Sequence, residues 1–295
     1  MTGAEQGFLL LTEQLGNPGR KVLTGPQLRI LGQRVRTMDK TEKDRDLEER
    51  DLLALGYGKE MAQRILALLE EKELLEYYCL QGKKKDCVPL TRVTEAYPAP
   101  VREKLGDESP GCLWAKGDLS ILQMPKIALV GSRELKETNR EFAEAVGFQA
   151  ARQGYALVSG NARGADKTAQ EACLRAGGKV ISVVADQLSG QQARENLLYL
   201  SEDGYDVPFS AQRAISRNRC VHALAEKTFI AQCGYQTGGT WDGTVKNLRF
   251  GWSSLYCFRD GSAAQILLEQ MGVQGIELHQ LADLSALETG EIRFF

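Results

Sequence analysis

The amino-acid sequence predicts an α/β protein in which a small helical domain precedes a doubly wound, mostly parallel sheet. From Lys126 onward, short apolar runs alternate with amphipathic stretches, and small-residue turns separate them. That alternation is typical of parallel strands that are connected by crossover helices. Before residue 82, apolar residues recur at three- and four-residue spacing instead, which indicates helices.

The composition is that of a globular protein. The chain of 295 residues is long enough for one large domain or two ordinary ones. Its apolar fraction of 43% and its charged fraction of 26% are typical of soluble proteins. No apolar run approaches the roughly 20 residues of a membrane span, and residues 1–11 show no signal-peptide pattern. We therefore expect a cytoplasmic protein with no membrane partner.

Charge and cysteine usage narrow the class of ligand. A net charge of −2 argues against a protein that coats nucleic acid through bulk charge, although a local basic groove is compatible with it. The seven cysteines are scattered without a Cys-x-x-Cys pair, and the only histidines are His222 and His279. We expect free thiols in a reducing compartment, no metal site and no cofactor.

The first 82 residues are expected to form the helical domain. Helical patterns cover residues 48–55 and 59–80, with a glycine turn between them. Such a helix–turn–helix serves either plain packing or contact with a DNA backbone, and the sequence leaves both open. Residues 83–125 are rich in proline and glycine, so we expect a linker there with a lead-in strand near residues 112–115.

The sheet domain is expected to span residues 126–284, followed by a short tail at residues 285–295. Strands are predicted at residues 127–130, 155–158, 179–184, 227–231 and 254–258. Helices are predicted at residues 138–153, 164–176 and 191–200. In a parallel sheet of this kind, the turns that follow the strands meet along one edge.

The turn after the first of these strands consists of Gly131, Ser132 and Arg133. Glycine permits close backbone approach, serine caps a helix or binds phosphate, and arginine offers two parallel donors. Alone, this turn fits a plain helix cap as well as it fits a phosphate site.

The turn after the second strand strengthens the phosphate interpretation. It contains Ser159, Gly160, Arg163 and Gly164, and Asp166 follows in the first turn of the next helix. Two small-residue turns on successive strands predict a site that presents backbone N–H groups to phosphate. The sequence leaves three roles open for the carboxylate of Asp166: a favourable interaction with the helix dipole, an ion pair with Arg163, or a hydrogen bond with a ribose hydroxyl.

Two further segments extend the basic and small-residue character of this edge. Residues 207–225 contain no acidic residue, and Arg213, Arg217, Asn218, Arg219 and His222 lie among them. Thr237, Gly238, Gly239 and Thr240 precede another predicted helix and form another anion-accepting turn. The adjacent Trp241 either stacks on a base or packs in the core.

Taken in order, these segments resemble the DNA-processing protein A family, which is also called DprA or Smf. The matching segments are Val130-Gly131-Ser132-Arg133, residues 159–166 (SGNARGAD), Arg217-Asn218-Arg219 and Thr237-Gly238-Gly239-Thr240. Flanking segments with the same resemblance are Tyr97-Pro98, residues 113–118 (LWAKGD), residues 260–263 (DGSA) and residues 267–272. The resemblance covers roughly residues 85–280, and no winged-helix domain is expected after them.

The resemblance implies a Rossmann-like sheet domain in a non-catalytic protein that binds single-stranded DNA during DNA processing and recombination. It also implies a homodimer that loads a RecA-type recombinase in natural transformation. Carried over to this chain, Arg133, Arg163, Arg217 and Arg219 would grip phosphates. Further contacts would come from Gly131, Ser132, Ser159, Gly160, Gly164, Asn218 and the turn of Thr237, Gly238, Gly239 and Thr240.

The chain departs from the family pattern in three places. Asn161 stands where an apolar residue is usual, Ala165 stands where isoleucine is usual, and residues 237–241 lean toward the LOG-type phosphoribohydrolases. A nucleotide-binding or phosphoribohydrolase-like enzyme is therefore the alternative, and a domain that serves mainly in assembly is a third possibility. LOG-type enzymes place a glutamate just after their glycine-rich turn, whereas the nearest acid here is Asp242, which counts against the enzyme.

Overall fold

The sheet is the framework of the molecule in this computed structural model, which describes residues 1–38 and 46–287. The described strands are β1 (Val88–Thr91), β2 (Cys112–Lys116), β3 (Lys126–Val130), β4 (Ala156–Ser159), β5 (Lys179–Val183), β6 (Leu197–Ser201), β7 (Lys227–Ile230), β8 (Ser254–Phe258) and β9 (Gln274–Ile276). Their order across the sheet is β1-β2-β6-β5-β4-β3-β7-β8-β9. Strands β3 to β9 run parallel, whereas β1 and β2 pair antiparallel at one edge.

Helices precede the sheet and cover both of its faces. The N-terminal helices are α1 (Gly3–Thr12), α2 (Gly25–Val35), α3 (Glu49–Ala54), α4 (Lys59–Glu70) and α5 (Lys72–Lys83). The later helices are α6 (Ala99–Leu105), α7 (Glu137–Arg152), α8 (Ala165–Arg175), α9 (Ala211–Ser216), α10 (Asn218–Leu224), α11 (Gly238–Phe250) and α12 (Ala263–Gln270). This arrangement confirms the predicted fold class, an α/β protein with a doubly wound, mostly parallel sheet and a helical N-terminal segment.

Burial on both faces explains why the central strands are short apolar runs. Along β3, Ile127 and Leu129 join one core cluster with α7 and α8, while Ala128 and Val130 join the other with α6 and α10. The chain winds outward from β3 through β4 to β6 and then returns to the other side of β3 as β7. The carboxyl ends of β3 and β7 therefore form the topological switch point, where ligands bind in open α/β sheets.

One predicted helix was wrong, and another is divided in two. Residues 191–200 do not form a helix; their last four residues instead belong to β6, where the run Leu197-Leu198-Tyr199-Leu200 is buried in the sheet. Asn196, with a φ of 63°, turns the chain directly before the strand. Residues 59–80 hold two helices rather than one, because Glu71, with a ψ of 40°, leaves the helical region between α4 and α5.

The segment expected as a linker contributes to the sheet. Residues 83–125 supply β1, β2 and α6, and every residue of β2 is buried. Proline and glycine there mark the short connections between these elements. The domain boundaries at residues 82, 125 and 284 stay a prediction, and residues 288–295 of the predicted tail lie outside the described residues.

An aromatic cluster attaches the N-terminal helices to the edge of the sheet. The Trp114 ring of β2 lies 5.5 Å from the Tyr78 ring of α5 and 5.0 Å from the Tyr205 ring, centroid to centroid. Nε1 of Trp114 donates a hydrogen bond of 3.0 Å to the buried carboxylate of Glu13. Within the described part of the chain, every helix is too short or too polar to cross a membrane.

Candidate functional site

Hydrogen bonds join the turns that follow β3, β4 and β7. The N–H of Ser132 donates to the carbonyl of Gln232 at 2.9 Å, and the N–H of Ala165 donates to the carbonyl of Ser132 at 3.1 Å. The side chain of Ser132 donates to the same Gln232 carbonyl at 3.2 Å. The first two predicted turns are therefore brought together at the switch point, as the sequence predicted from their order.

Two glycines make this close approach possible. Gly164 has a φ of +84°, and a Cβ there would lie 2.4 Å from the carbonyl oxygen of Arg133. A Cβ on Gly131 would lie 2.5 Å from the Cβ of Ala165. Because neither position tolerates a side chain, Gly131 and Gly164 fix the distance between the two turns.

Arg217 lies in the middle of this surface and is 7% exposed. A Cβ on Gly160 would lie 1.4 Å from Nη1 of Arg217, so the guanidinium rests directly on the glycine backbone. Its Nε is buried without a hydrogen-bond partner. Burial lowers the pKa of Arg217, and the nearby charge of Asp166 acts in the opposite direction.

Asp166 holds the turn after β4 through a hydrogen bond to its backbone. Its carboxylate accepts a hydrogen bond of 3.1 Å from the N–H of Ala162, and the residue is 5% exposed. Burial raises the pKa of Asp166, while the charge of Arg217 lowers it. This carboxylate therefore braces the loop and compensates part of the buried positive charge.

The other two predicted turn arginines are exposed. Arg163 forms a surface ion pair of 3.3 Å with Glu134, and both side chains are mostly in solvent. Arg133 is exposed, and its positive charge lowers the pKa of Arg217. Arg133 and Arg217 therefore add their potentials at the same place.

The other two arginines of residues 207–225 form ion pairs with acidic residues that lie just before this segment. Arg213 donates to Asp203 at 2.5 Å and to the carbonyls of Ala185 and Val207 at 2.8 Å each. Arg219 pairs with Glu202 at 3.2 Å. Residues 207–225 are therefore less basic in the folded protein than their own composition indicates.

His222 and Ser159 lie beneath the surface. Burial lowers the pKa of His222 to about 3, so the ring is neutral at ordinary pH. The Oγ of Ser159 is buried and accepts a hydrogen bond of 2.6 Å from Gln170, which also donates to Ser182 at 3.2 Å. Both side chains hold the scaffold together.

The fourth predicted turn opens α11 beside this surface. Thr237 is the residue before the helix, and Gly238, with a φ of 88°, starts it. Nδ2 of Asn218 donates to the carbonyl of Gly239 at 3.0 Å, which ties the Arg217-Asn218-Arg219 segment to this turn. Thr240 follows in the first turn of α11, and Trp241 is 8% exposed and belongs to the core. The free N–H groups at this helix start are suited to an anion.

More than half of the sequence matches the model of one protein family. The model of the family described as DNA recombination-mediator protein A matches residues 89–245, which is more than half of the chain. The chain belongs to the DNA recombination-mediator protein A family. The match includes all four turn and arginine segments that make up the surface.

The chain is also similar in sequence to curated proteins that are named DNA processing protein DprA. The DNA processing protein DprA of Streptococcus pneumoniae is 31% identical over 163 residues, which cover 52% of this chain and 54% of that protein. The DprA of Bacillus subtilis is 28% identical over 142 residues, 44% of this chain and 48% of that one. This chain spans about half the length of these curated relatives.

Solved structures show the same fold. The DprA structure from Streptococcus pneumoniae has a TM-score of 0.66 at 22% identity and covers 90% of this chain and 99% of its own. The DNA processing protein A of Helicobacter pylori, whose study describes its single-stranded DNA binding mode, has a TM-score of 0.56 at 23% identity. That match covers 66% of this chain and 93% of the other.

Several residues that support this surface were not predicted from the sequence. Gln232 connects the turns that follow β7 and β3, and Gln170 connects β4 to β5. Glu202 accepts hydrogen bonds from Ser216 at 3.1 Å and from Cys220 at 2.9 Å. The only sequence signal for the role of Glu202 was the group of acids at residues 202–206, just before the acid-free residues 207–225. Among the described residues, no group of three or more His, Cys, Asp or Glu side chains is placed to hold a metal ion.

Proposed function

We propose that this protein binds single-stranded DNA without catalysis, and that the DNA backbone runs along the carboxyl edge of the sheet. The observation that carries the proposal is the buried guanidinium of Arg217, whose Nε has no hydrogen-bond partner among the described residues. A buried charge costs several kcal/mol unless an opposite charge and hydrogen bonds compensate it. A phosphate oxygen on Arg217 would supply both.

The geometry around Arg217 favours an extended phosphate backbone as the anion. Arg133 adds a second, exposed positive charge beside it, and the start of α11 offers backbone N–H groups next to Asn218. The chain's net charge of −2 is compatible with this, because only the groove needs to be positive. Separate anion positions along one edge suit consecutive phosphates of a strand.

The proposed site contains all the residues that the sequence predicted, and they have different roles. Arg133, Arg163 and Arg217 contact phosphate, Arg219 supports the groove through Glu202, and Asp166 positions the loop. The backbone and hydroxyl positions are Gly131, Ser132, Ser159, Gly160, Gly164, Asn218, Thr237, Gly238, Gly239 and Thr240. Among these, Gly131, Gly160 and Gly164 act through packing, and Ser159 acts through its hydrogen bond from Gln170.

Finer features rest on the family resemblance. We propose a cytoplasmic homodimer that acts in DNA recombination during natural transformation and loads a RecA-type recombinase. Residues 1–82, 83–125 and 126–284 are the proposed helical domain, connecting segment and DNA-binding domain. Two findings support the DNA-binding part of this assignment. They are the family membership and the similarity to the solved structure of the Helicobacter pylori protein, whose study describes a single-stranded DNA binding mode.

The test is fluorescence anisotropy of labelled oligo-dT over a salt series, with AMP as a competitor. We expect binding that weakens steeply with salt and resists AMP. The Arg133→Ala variant should weaken binding to every sequence and lower the salt slope by about one, because it removes one phosphate contact. Arg133 is exposed, so this variant should fold normally.

The matched control is Arg175→Ala, which removes an exposed arginine at the far end of α8, away from the carboxyl edge. Its affinity and salt slope should equal those of the unmodified protein. Equal slopes for Arg133→Ala and the unmodified protein would contradict the proposal. Displacement of the DNA by low concentrations of AMP would favour a mononucleotide as the ligand.

A further inference from the structure

Tyr235 occupies the tip of a tight turn between β7 and α11. Gly234 and Thr237 form an isolated antiparallel bridge, which leaves Tyr235 and Gln236 as the two central residues of the turn. Gln236 has a φ of 52°, and a Cβ on Gly234 would lie 2.9 Å from Cγ2 of Thr237. The turn therefore holds Tyr235 in a defined position.

The Tyr235 side chain is 55% exposed, although it belongs to the loop at the switch point. Its ring centroid lies 6.4 Å from that of Trp241, tilted by 40°, and Trp241 is itself buried. One side of the tyrosine ring thus has a rigid neighbour while most of the ring faces solvent. A core role does not account for a large ring presented in this way.

The turn leads directly into the anion-accepting start of α11. Thr237 ends the turn, and Gly238 and Gly239 follow as the first helical residues. Ile215, which is 46% exposed, approaches the same place, since a Cβ on Gly239 would lie 4.0 Å from its Cγ1. An aromatic and an aliphatic side chain therefore rim the position where a phosphate would lie.

We propose that the Tyr235 ring is a stacking platform for a nucleobase whose neighbouring phosphate occupies the start of α11. This inference rests on the proposed single-stranded DNA binding and adds a base contact to it. Single-strand binders combine a positive groove with exposed aromatic rings, because every base has a π-face that can stack whatever its identity. Stacking on Tyr235 would thus strengthen binding with little sequence preference.

The experiment compares an oligo-dT with an abasic oligomer of the same length, which keeps the phosphates and lacks the bases. Anisotropy titrations use the unmodified protein, Tyr235→Ala, Tyr235→Phe and the control Tyr77→Ala, which removes a ring that is 62% exposed on α5. We expect the unmodified protein, Tyr235→Phe and Tyr77→Ala to prefer oligo-dT. Tyr235→Ala should lose roughly 5- to 100-fold in dT affinity, with unchanged abasic affinity and salt slope.

The outcomes separate this inference from the function on which it rests. If the unmodified protein binds both oligomers equally, or if Tyr235→Ala keeps the preference for oligo-dT, stacking on Tyr235 is overturned while phosphate binding stands. If the unmodified protein binds neither oligomer, both proposals fall. Thermal melting of each variant verifies the fold, which an exposed turn residue should leave intact.

Discussion

Nη1 of Arg217 lies so close to the backbone of Gly160 that a Cβ at position 160 would be 1.4 Å from it. The two residues are 57 positions apart in the sequence, and the parallel sheet brings them together at the switch point. The glycine thus creates the space for a buried guanidinium whose Nε has no hydrogen-bond partner among the described residues. This pair links the small-residue turn after β4 to the arginine segment at the start of α10.

The first prediction concerns this pair. Gly160→Ala should displace the guanidinium of Arg217 and reduce the affinity for single-stranded DNA by about tenfold or more, since charged hydrogen bonds contribute roughly 1.5–3 kcal/mol. Anisotropy titration measures the loss. The control is Gly190→Ala, because a Cβ at position 190 meets nothing within 4 Å. Unchanged DNA affinity in Gly160→Ala would contradict the role given to Arg217.

The second prediction concerns the packing of α7 on α8. A Cβ on Gly147 of α7 would lie 2.1 Å from the carbonyl oxygen of Ala169. Gly147→Ala should therefore lower the free energy of unfolding by about 1–3 kcal/mol, despite the better helix propensity of alanine. Gly32→Ala in α2, which meets nothing within 4 Å, should leave stability unchanged or raise it. Urea unfolding distinguishes the two, and equal effects would contradict the account of this helix contact.

The third prediction separates structural from surface arginines. Arg213→Ala should destabilise the protein by about 2–4 kcal/mol, because it removes an ion pair and leaves several partly buried acceptors without a donor. Arg163→Ala should change the free energy of unfolding by less than about 0.5 kcal/mol, since its ion pair with Glu134 is exposed. Urea titration of both variants measures this, and a larger loss in Arg163→Ala would reverse the assignment.

The fourth prediction concerns Glu13, which is buried between α1 and β2. Burial raises the pKa of Glu13 to about 7, the hydrogen bond from Trp114 lowers it, and the charge of Asp203 raises it further. The folded protein therefore binds a proton that the unfolded chain releases near the ordinary glutamate value of 4.5. Its stabilising contribution is complete below that value and is lost as the pH rises to about 7.

The Glu13→Gln variant tests this without a charge at position 13. Glutamine keeps an acceptor for Nε1 of Trp114, so the unmodified protein should lose stability relative to the variant by roughly 2–3 kcal/mol between pH 4.5 and 7. Burial lowers the pKa of His222 to about 3, which reduces stability toward acid in both proteins equally. Urea unfolding at several pH values gives the difference, and parallel pH profiles would contradict it.

The sequence predicted the sheet well because its strands are short apolar runs that are bounded by glycine turns. It failed at residues 197–200, where a four-residue apolar run was too short to distinguish a buried strand from a helix turn. It placed a lead-in strand near residues 112–115, where β2 lies, but it named no strand at β1 and no pairing for either, since antiparallel edge pairing depends on partners far away in the chain.

The candidate site was predicted in outline only. The order of the turns placed residues 131–133 and 159–166 on one edge, as found. The burial of Arg217 against Gly160 could not be predicted, because it depends on contacts between distant segments. The neutralisation of Arg213 and Arg219 by Asp203 and Glu202 was also missed, because counting charges within residues 207–225 excluded the acids immediately before them.

The central claim is that single-stranded DNA lies along the carboxyl edge of the sheet. The most direct measurement is photocrosslinking of an oligonucleotide that carries 5-iodouracil, followed by mass spectrometry of the crosslinked peptides. We predict crosslinks within residues 131–133, 160–166 and 232–241, including Tyr235. Crosslinks confined to the helices of residues 1–82, or the absence of any crosslink under conditions where the protein is folded, would contradict the account.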